Sequence, residues 1–223
     1  MLRSFCILLL MSFLLACQKP STTKIEFVVK QHGVQHTCDE RQNLMWFVSE
    51  FQSNSAISIK PSYFSSNSVA LIGANCEKNS WQVELMDDAL DGKKLSFAMA
   101  VPFNENHLNP LTAASPLNIS EMFWSWQLGH KFFRFDGDND FAFHLGSTGC
   151  KSTSRLRAPS APCAYPNRYR FELAQFDAQK PITLDLDRLL SEVGRSRSCM
   201  SEQANEICQQ LFNNLTTKIF YQE

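Results

Sequence analysis

Short runs of alternating or aromatic-rich residues recur along most of the chain. Residues 25–29 and 132–135 show part of the period of two that places every second side chain of a strand on one face. Most runs are five to eight residues long and are separated by Gly, Asn, Pro and Ser. Short strands at this spacing are typical of an antiparallel β-sandwich or a barrel-like domain, so the sequence predicts an all-β fold. The predicted strands cover residues 24–30, 44–51, 68–72, 81–85, 94–101, 130–135, 140–145, 168–173 and 182–186.

Helix is expected to be a minor element. In residues 201–211 the side chains of Ala204, Ile207, Cys208 and Leu211 recur at helical spacing. This pattern predicts a C-terminal helix, and a shorter helix is predicted near residues 189–193.

The N-terminal residues have the pattern of a bacterial lipoprotein signal. Arg3 precedes an apolar run at residues 5–13 that leads into Leu14-Leu15-Ala16-Cys17. The run is too short to span a hydrocarbon core of about 30 Å, and a small residue before Cys matches a lipobox. We therefore predict a signal peptide at 1–16, a lipidated tether at 17–23 beginning with acylated Cys17, and a single domain at 24–223. An ordinary secretory signal is the alternative.

Residue 18 bears on where the lipoprotein would reside. It is Gln rather than Asp. In a Gram-negative cell this favours transfer to the outer membrane. We expect a lipid-anchored protein on the periplasmic face of that membrane or on the cell surface.

Six cysteines would remain besides Cys17 and the one in the signal peptide. An oxidising compartment favours disulfides, and six thiols allow fifteen pairings. Spacing favours the two local pairs, which leaves one long-range pair. A thiolate metal site is the alternative, but the sequence has no C-x-x-C. The predicted disulfides are Cys150 to Cys163, Cys199 to Cys208, and Cys38 to Cys76.

Charge and motifs exclude several function classes. Lys and Arg total 21 against 22 Asp and Glu, so no basic field for nucleic acid is present. No G-x-S-x-G, P-loop or H-E-x-x-H occurs, so the sequence gives a hydrolase no support and we expect a non-enzyme. The acidic stretch 136–140 lacks the Gly and Glu positions of a calcium loop and predicts a tight turn between two strands.

Four short motifs in the centre of the chain carry a family resemblance. They are Asn106-His107, Pro116-Leu117-Asn118, Trp124-Ser125-Trp126, and His144-Leu145-Gly146-Ser147 continuing through Thr148 and Gly149 to Cys150. In this order they resemble the MbnP-like proteins, the four-Cys, Trp-x-Trp members of the metallo-mystery pair. In that pair an extracytoplasmic copper protein is encoded beside a di-haem peroxidase of the MauG type.

The resemblance implies a modified copper site. The partner peroxidase, an MbnH-like protein, would oxidise Trp124 to kynurenine, and copper binding would depend on that change. An indole N–H has no lone pair for a metal, whereas kynurenine exposes an aryl amine. His107 and His144 are the candidate ligands, and nitrogen donors without a carboxylate suit one copper ion as Cu(I). Trp126 is expected to pack in the core beside the modified residue and exclude water.

Three other histidines carry less weight. His130 occupies a position where the family more often has Tyr, so it could add a ligand or lie on the surface. His32 and His36 are left outside the predicted site. The resulting hypothesis is a copper-binding protein for copper acquisition or homeostasis. The alternatives are a lipoprotein that recognises carbohydrate or peptide through stacked aromatic rings, and a copper oxidoreductase.

Overall fold

The computed structural model describes residues 21–36, 43–87, 89–194 and 198–223. Within them lie twelve strands and three short α-helices, together with 3₁₀ turns at Lys78–Trp81 and Ser120–Met122. The strands are β1 (Thr23–Gln31), β2 (Val34–Gln35), β3 (Leu44–Gln52), β4 (Val69–Ile72), β5 (Gln82–Leu85), β6 (Leu95–Met99), β7 (Phe123–Ser125), β8 (Gly129–Asp136), β9 (Ala142–Gly146), β10 (Tyr169–Leu173), β11 (Ile182–Asp185) and β12 (Phe220–Tyr221). The helices are α1 (Phe103–Asn106), α2 (Leu186–Leu189) and α3 (Glu206–Leu215).

These strands form two sheets. The first has the order β12-β11-β1-β2, with β5 also paired to β1. The second has the order β10-β6-β3-β8-β7, with β4 paired to β3 and β9 paired to β8. Among the described strands the ladders run antiparallel except for β1 and β11, where Phe27 lies opposite Ile182 in a parallel register. The all-β prediction is confirmed, with this one parallel ladder as an addition.

An aromatic core joins the two sheets. In β1, Phe27 points inwards and meets Trp46 of the second sheet with ring centroids 6.0 Å apart. From β12, Phe220 contacts Phe97 at 5.2 Å and Phe171 at 4.7 Å. These pairs are edge-to-face, a geometry that adds about 0.5–1.5 kcal/mol per pair beyond the burial of apolar area. The many phenylalanines of the sequence therefore form the contact between the sheets.

All nine predicted strands are present, and their ends agree within two residues. The prediction missed β2, β7 and β12. Each of these has two or three residues, too few for a periodic pattern.

Side-chain caps set the residues at which α2 and α3 begin. The C-terminal helix is confirmed, but α3 begins at Glu206 rather than 201 because Asn205 Oδ1 accepts hydrogen bonds from the backbone N–H groups of Ile207 and Cys208. The shorter helix predicted at 189–193 is displaced. It lies at Leu186–Leu189, where Asp185 caps its first turn through the N–H of Arg188.

Disulfides join one loop segment to another and a loop segment to α3. Cys150–Cys163 and Cys199–Cys208 are bonded as predicted. Cys76 is also disulfide-bonded, but its predicted partner Cys38 lies outside the described residues. The predicted signal peptide, the lipidated Cys17 and most of the tether lie outside them as well. In the described part of the chain, none of the helices has the length and apolar character that a membrane crossing requires.

Candidate functional site

The candidate site lies on the outer face of the hairpin formed by β8 and β9. Phe143 and Leu145 of β9 point into the core, and His144 between them points outwards, as the alternation predicted. Opposite His144 in the ladder lies Arg134, and Asp136 follows on the same face of β8. The hairpin therefore presents a histidine, an arginine and a carboxylate side by side.

The tight turn predicted at the acidic stretch closes this hairpin. Asn139 and Asp140 both have positive φ, 56° and 59°, and the N–H of Phe141 donates to the carbonyl of Asp138 at 3.2 Å. Two left-handed central residues are the signature of a type I′ turn, which matches the twist of the adjoining strands.

The ring of Trp124 packs over this face from β7. Its benzo edge rests on Gly146, where a β-carbon would lie 2.6 Å from Trp124 Cζ3 and 3.2 Å from Cε3. Its centroid is 6.4 Å from that of the His144 ring. The glycine is required by this close approach. The structure thus brings together Trp124, the residue predicted to be modified, and His144, one of the predicted copper ligands.

The carboxylate of Asp136 fixes the orientation of the His144 ring. Its Oδ1 lies 2.6 Å from His144 Nε2. Its Oδ2 accepts from Arg134 Nε at 2.8 Å and from Asn43 Nδ2 at 3.0 Å. Burial opposes ionisation of this carboxyl, but the hydrogen bonds from His144, Arg134 and Asn43 outweigh it and hold the pKa of Asp136 well below its usual range. Asp136 is therefore a carboxylate at neutral pH.

His107 lies at the end of α1 and is 8% exposed. Its Nδ1 is 3.3 Å from the carbonyl oxygen of Trp126, to which a neutral ring donates when the proton is on Nδ1. Burial lowers the pKa of His107 and so favours this neutral form. Its Nε2, 3.4 Å from Asn106 Nδ2, then carries the lone pair. The Trp-x-Trp segment therefore contacts both predicted histidine ligands, His144 through the Trp124 ring and His107 through the main chain of Trp126.

His130 is neither a surface residue nor a metal ligand, the two roles expected for it from the sequence. It is fully buried, so it is not a surface imidazole. Its Nδ1 lies 2.7 Å from the carbonyl oxygen of Asn106 and its Nε2 lies 3.0 Å from that of Leu117. With both nitrogens directed at carbonyls, the ring has no lone pair directed at a metal. Burial lowers its pKa, and the two carbonyls oppose this only in part. His130 is a structural residue that holds the loops before β7.

Trp126 also differs from its prediction. It is half-buried, with its ring 6.0 Å from that of Phe123, and it does not lie in the core. A loop residue after a three-residue edge strand has no neighbouring strand to cover it. Its contact with the site is made by its carbonyl.

The remaining histidines lie in the other sheet. His32 is exposed in the turn between β1 and β2, with Nε2 3.8 Å from Asp187 Oδ1. His36 follows β2, and its backbone N–H donates to the carbonyl of Val29. Their exclusion from the predicted site agrees with these positions. Within the described ranges, no three His, Cys, Asp or Glu side chains are arranged to hold a metal ion by themselves.

Sequence reasoning missed four residues that shape the site. Asn106 is 1% exposed; its Oδ1 accepts from the N–H of His130 at 2.9 Å, and its side chain reaches His107. Gly129, with φ of 79°, leaves room for the Asn106 side chain, because a β-carbon on residue 129 would lie 2.5 Å from Asn106 Nδ2. Asp136 and Gly146 are the other two. The Asn-His motif gave a signal for Asn106, whereas Asp136 required the strand register.

His144 and His107 are the side chains that would hold a metal through nitrogen donors. His144, with its Nε2 directed at Asp136, would offer Nδ1, and His107 would offer Nε2, which lies 3.4 Å from Asn106 Nδ2 in the structure. Imidazole nitrogens are ligands that copper accepts. A kynurenine at Trp124 would supply a third nitrogen as an aryl amine.

The fold and site define a disulfide-linked β-sandwich with a tryptophan held over a histidine on the outer face of its second sheet. The MbnP family model matches residues 19–209, and the chain belongs to the MbnP family. Among solved structures it is similar to MbnP from Methylosinus trichosporium, with 21% sequence identity and a TM-score of 0.68 over 86% of this chain and 87% of that chain. At this identity the likeness shows the fold. No curated protein matches the sequence.

Proposed function

We propose that this protein binds one copper ion, as Cu(I), outside the cytoplasm and serves copper acquisition or homeostasis. The ligands are His107, His144 and a kynurenine formed from Trp124 by a di-haem peroxidase of the MauG type, an MbnH-like partner. Membership of the MbnP family supports the link with copper. The observation that carries the proposal is the packing of Trp124 on Gly146, with its ring next to that of His144.

This packing suits a residue that is modified in place. The atoms that rest on Gly146, Cζ3 and Cε3, belong to the benzo ring, which persists in kynurenine. The reaction opens the five-membered ring: the double bond between Cγ and Cδ1 is cleaved in a four-electron oxidation by two equivalents of peroxide, which are reduced to water, and hydrolysis of the resulting formamide releases Cδ1 as formate. The side chain loses one carbon and gains one oxygen, and its nitrogen becomes an aryl amine. The glycine contact can thus hold the ring before and after the change.

Burial also suits the proposed role. Trp124 and Trp126 are half-buried. Recognition of a sugar or peptide by stacking requires an exposed ring face, so their partial burial favours the metal site over the recognition alternative. We further propose that the protein is not an enzyme and that it is held by lipid at the periplasmic face of the outer membrane or at the cell surface.

Production with and without the peroxidase tests the proposal. Protein made alone should keep both tryptophans and bind copper weakly. Protein made with the peroxidase should carry kynurenine at residue 124, seen by intact mass and peptide mapping, and should bind one equivalent of copper. Trp124→Phe should abolish this binding, whereas the matched variant Trp126→Phe should retain the modification and much of the affinity.

Three results would contradict the proposal. High-affinity copper binding in Trp124→Phe would show that kynurenine is not a ligand. Unchanged affinity in both His107→Ala and His144→Ala would exclude the named histidines. Turnover of a small substrate by the copper-loaded protein would instead support the oxidoreductase alternative.

A further inference from the structure

The hydrogen bond between His144 and Asp136 restricts which nitrogen of the ring can bind a metal. Oδ1 of Asp136 lies 2.6 Å from Nε2 of His144. A carboxylate only accepts hydrogen bonds, so this contact requires the proton of a neutral imidazole to be on Nε2. The lone pair of the ring is then on Nδ1.

The carboxylate is itself held rigidly. Arg134 Nε and Nη2 lie 2.8 and 2.6 Å from Oδ2, and Asn43 Nδ2 lies 3.0 Å from the same atom. These three nitrogens, from two side chains, occupy Oδ2 and leave Oδ1 for the imidazole. The side chain of Asp136 is 27% exposed and that of His144 is 13% exposed, so water competes little for the bond.

The main chain of His144 is fixed as well. Its N–H donates to the carbonyl of Cys199 at 2.9 Å, and its carbonyl accepts from Ser201 Oγ at 2.9 Å. With the backbone held on one side and the ring held by Asp136, the imidazole has little freedom to turn Nε2 towards a ligand.

The geometry points to Asp136 as the positioning residue that makes Nδ1 of His144 the metal-binding atom of the site. This inference rests on the proposed function. Metal-binding histidines commonly donate their second N–H to a carboxylate, which sets the tautomer and increases the basicity of the coordinating nitrogen. The competing explanation is that Asp136 serves only as the partner of Arg134 in a structural ion pair.

Nuclear magnetic resonance of the folded, unmodified protein tests the tautomer without any copper. At a pH where the ring of His144 is neutral, its long-range proton–nitrogen correlations should show a protonated Nε2 and an unprotonated Nδ1. In Asp136→Asn the amide can donate to Nε2, so the population should move towards the Nδ1-protonated tautomer. Asp140→Asn is the matched control. It removes the same charge from the same hairpin at an exposed, left-handed position that suits Asn, and should leave the tautomer unchanged.

Copper affinity is then measured on kynurenine-containing protein by competition with a Cu(I) chelator. Asp136→Asn should weaken binding about 10- to 100-fold, the usual effect of removing such a carboxylate, and Asp140→Asn should not. A neutral ring that carries its proton on Nδ1 in the wild-type protein overturns the inference, and this measurement does not depend on the variant folding. Equal affinities of Asp136→Asn and wild type also overturn it. If the modified wild type binds no copper while Nε2 is protonated, the proposed function fails and the role of Nδ1 as a ligand fails with it.

Discussion

Gly146 is the residue on which the ring of Trp124 rests, and it gives the most local prediction. Its φ is not positive, so a larger residue would be excluded by space and not by backbone strain. In Gly146→Ala the new methyl group would meet Trp124 Cζ3 at 2.6 Å and the carbonyl of His130 at 3.0 Å. Overpacking of this kind costs about 1–3 kcal/mol. We expect a loss of this size in denaturant titrations and a displaced Trp124 ring, seen as a changed tryptophan emission.

Gly194→Ala is the matched control for this change, because a β-carbon there would have no atom of the described residues within 4 Å apart from its own chain neighbours. It should leave emission unaltered and stability within about 0.5 kcal/mol of the wild type. A Gly146→Ala protein as stable as Gly194→Ala would show that Trp124 does not pack where the structure places it.

The buried histidines predict a pH dependence of stability. Burial lowers the pKa of both His130 and His107, whereas in the unfolded chain a histidine titrates near about 6.5. As the pH falls below about 6.5 the unfolded state binds protons that the folded state resists, so the free energy of unfolding must decrease. Asp136 does not contribute to this pH dependence, because its pKa is lowered and the stability it provides is lost only at more acidic pH.

The measurement is denaturant unfolding at about pH 7.5 and about pH 5. Stability should be lower at the acidic pH by an amount of order 1 kcal/mol for each tenfold difference between the proton affinities of the unfolded and folded states. His130→Gln, which does not titrate, should be less stable throughout and should show a shallower dependence. A protein whose stability rises towards pH 5 would contradict the assignment of neutral, buried imidazoles.

At the scale of elements, the sequence predicts what depends on local periodicity and misses what depends on pairing. The alternation in β9 correctly predicted that the side chain of His144 lies on the other face of the strand from those of Phe143 and Leu145. The acidic stretch correctly predicted the turn that precedes β9. Asp136 is four residues before the start of the next predicted strand, and only the β8–β9 register brings its carboxylate to His144. Likewise β7 is a three-residue strand that exists because β8 pairs with it, so the position of Trp124 over Gly146 could not be read from the chain.

The Cys199–Cys208 disulfide links α3 to the strand that carries His144. The N–H of Cys199 donates to Ala142 at 2.8 Å and its carbonyl accepts from His144. Replacing both cysteines with Ala should lower stability by about 2–4 kcal/mol and should also loosen the edge of β9. Hydrogen exchange of the His144 amide should therefore become faster relative to amides of β1.

The Cys150–Cys163 pair provides the comparison. Its sequence separation is 13 residues against 9 for Cys199–Cys208, so the loop-closure effect on stability should be similar. Replacing it should leave the exchange of the His144 amide slow relative to the core strands. Equal protection of this amide in the two double variants would show that the disulfide at Cys199 does not stabilise the site strand.

At the scale of the whole molecule, the site and the strand that follows the predicted tether belong to different sheets. The tether would lead into β1 of the first sheet, while Trp124 and His144 lie on β7 and β9 of the second. Six peptide units separate residue 17 from residue 23, the first residue of β1, and they span at most about 20 Å. Lipid attachment would thus keep the domain near the membrane without contributing an atom to the site.

Cys17→Ser tests this separation of roles. The wild-type protein should partition into detergent and show acyl groups by mass, and the variant should move to the soluble extracytoplasmic fraction. Because the proposed ligands His107, Trp124 and His144 are far from residue 17 in the sequence, the variant made with the peroxidase should still carry the oxidised Trp124 and bind copper. In a Gram-negative host Gln18→Asp is the control, since it should keep the lipid but retain the protein at the inner membrane. Lipid-free wild-type protein from a host with lipoprotein processing would refute the anchor, and loss of Trp124 oxidation in Cys17→Ser alone would show that the membrane position is needed for the partner to reach its target.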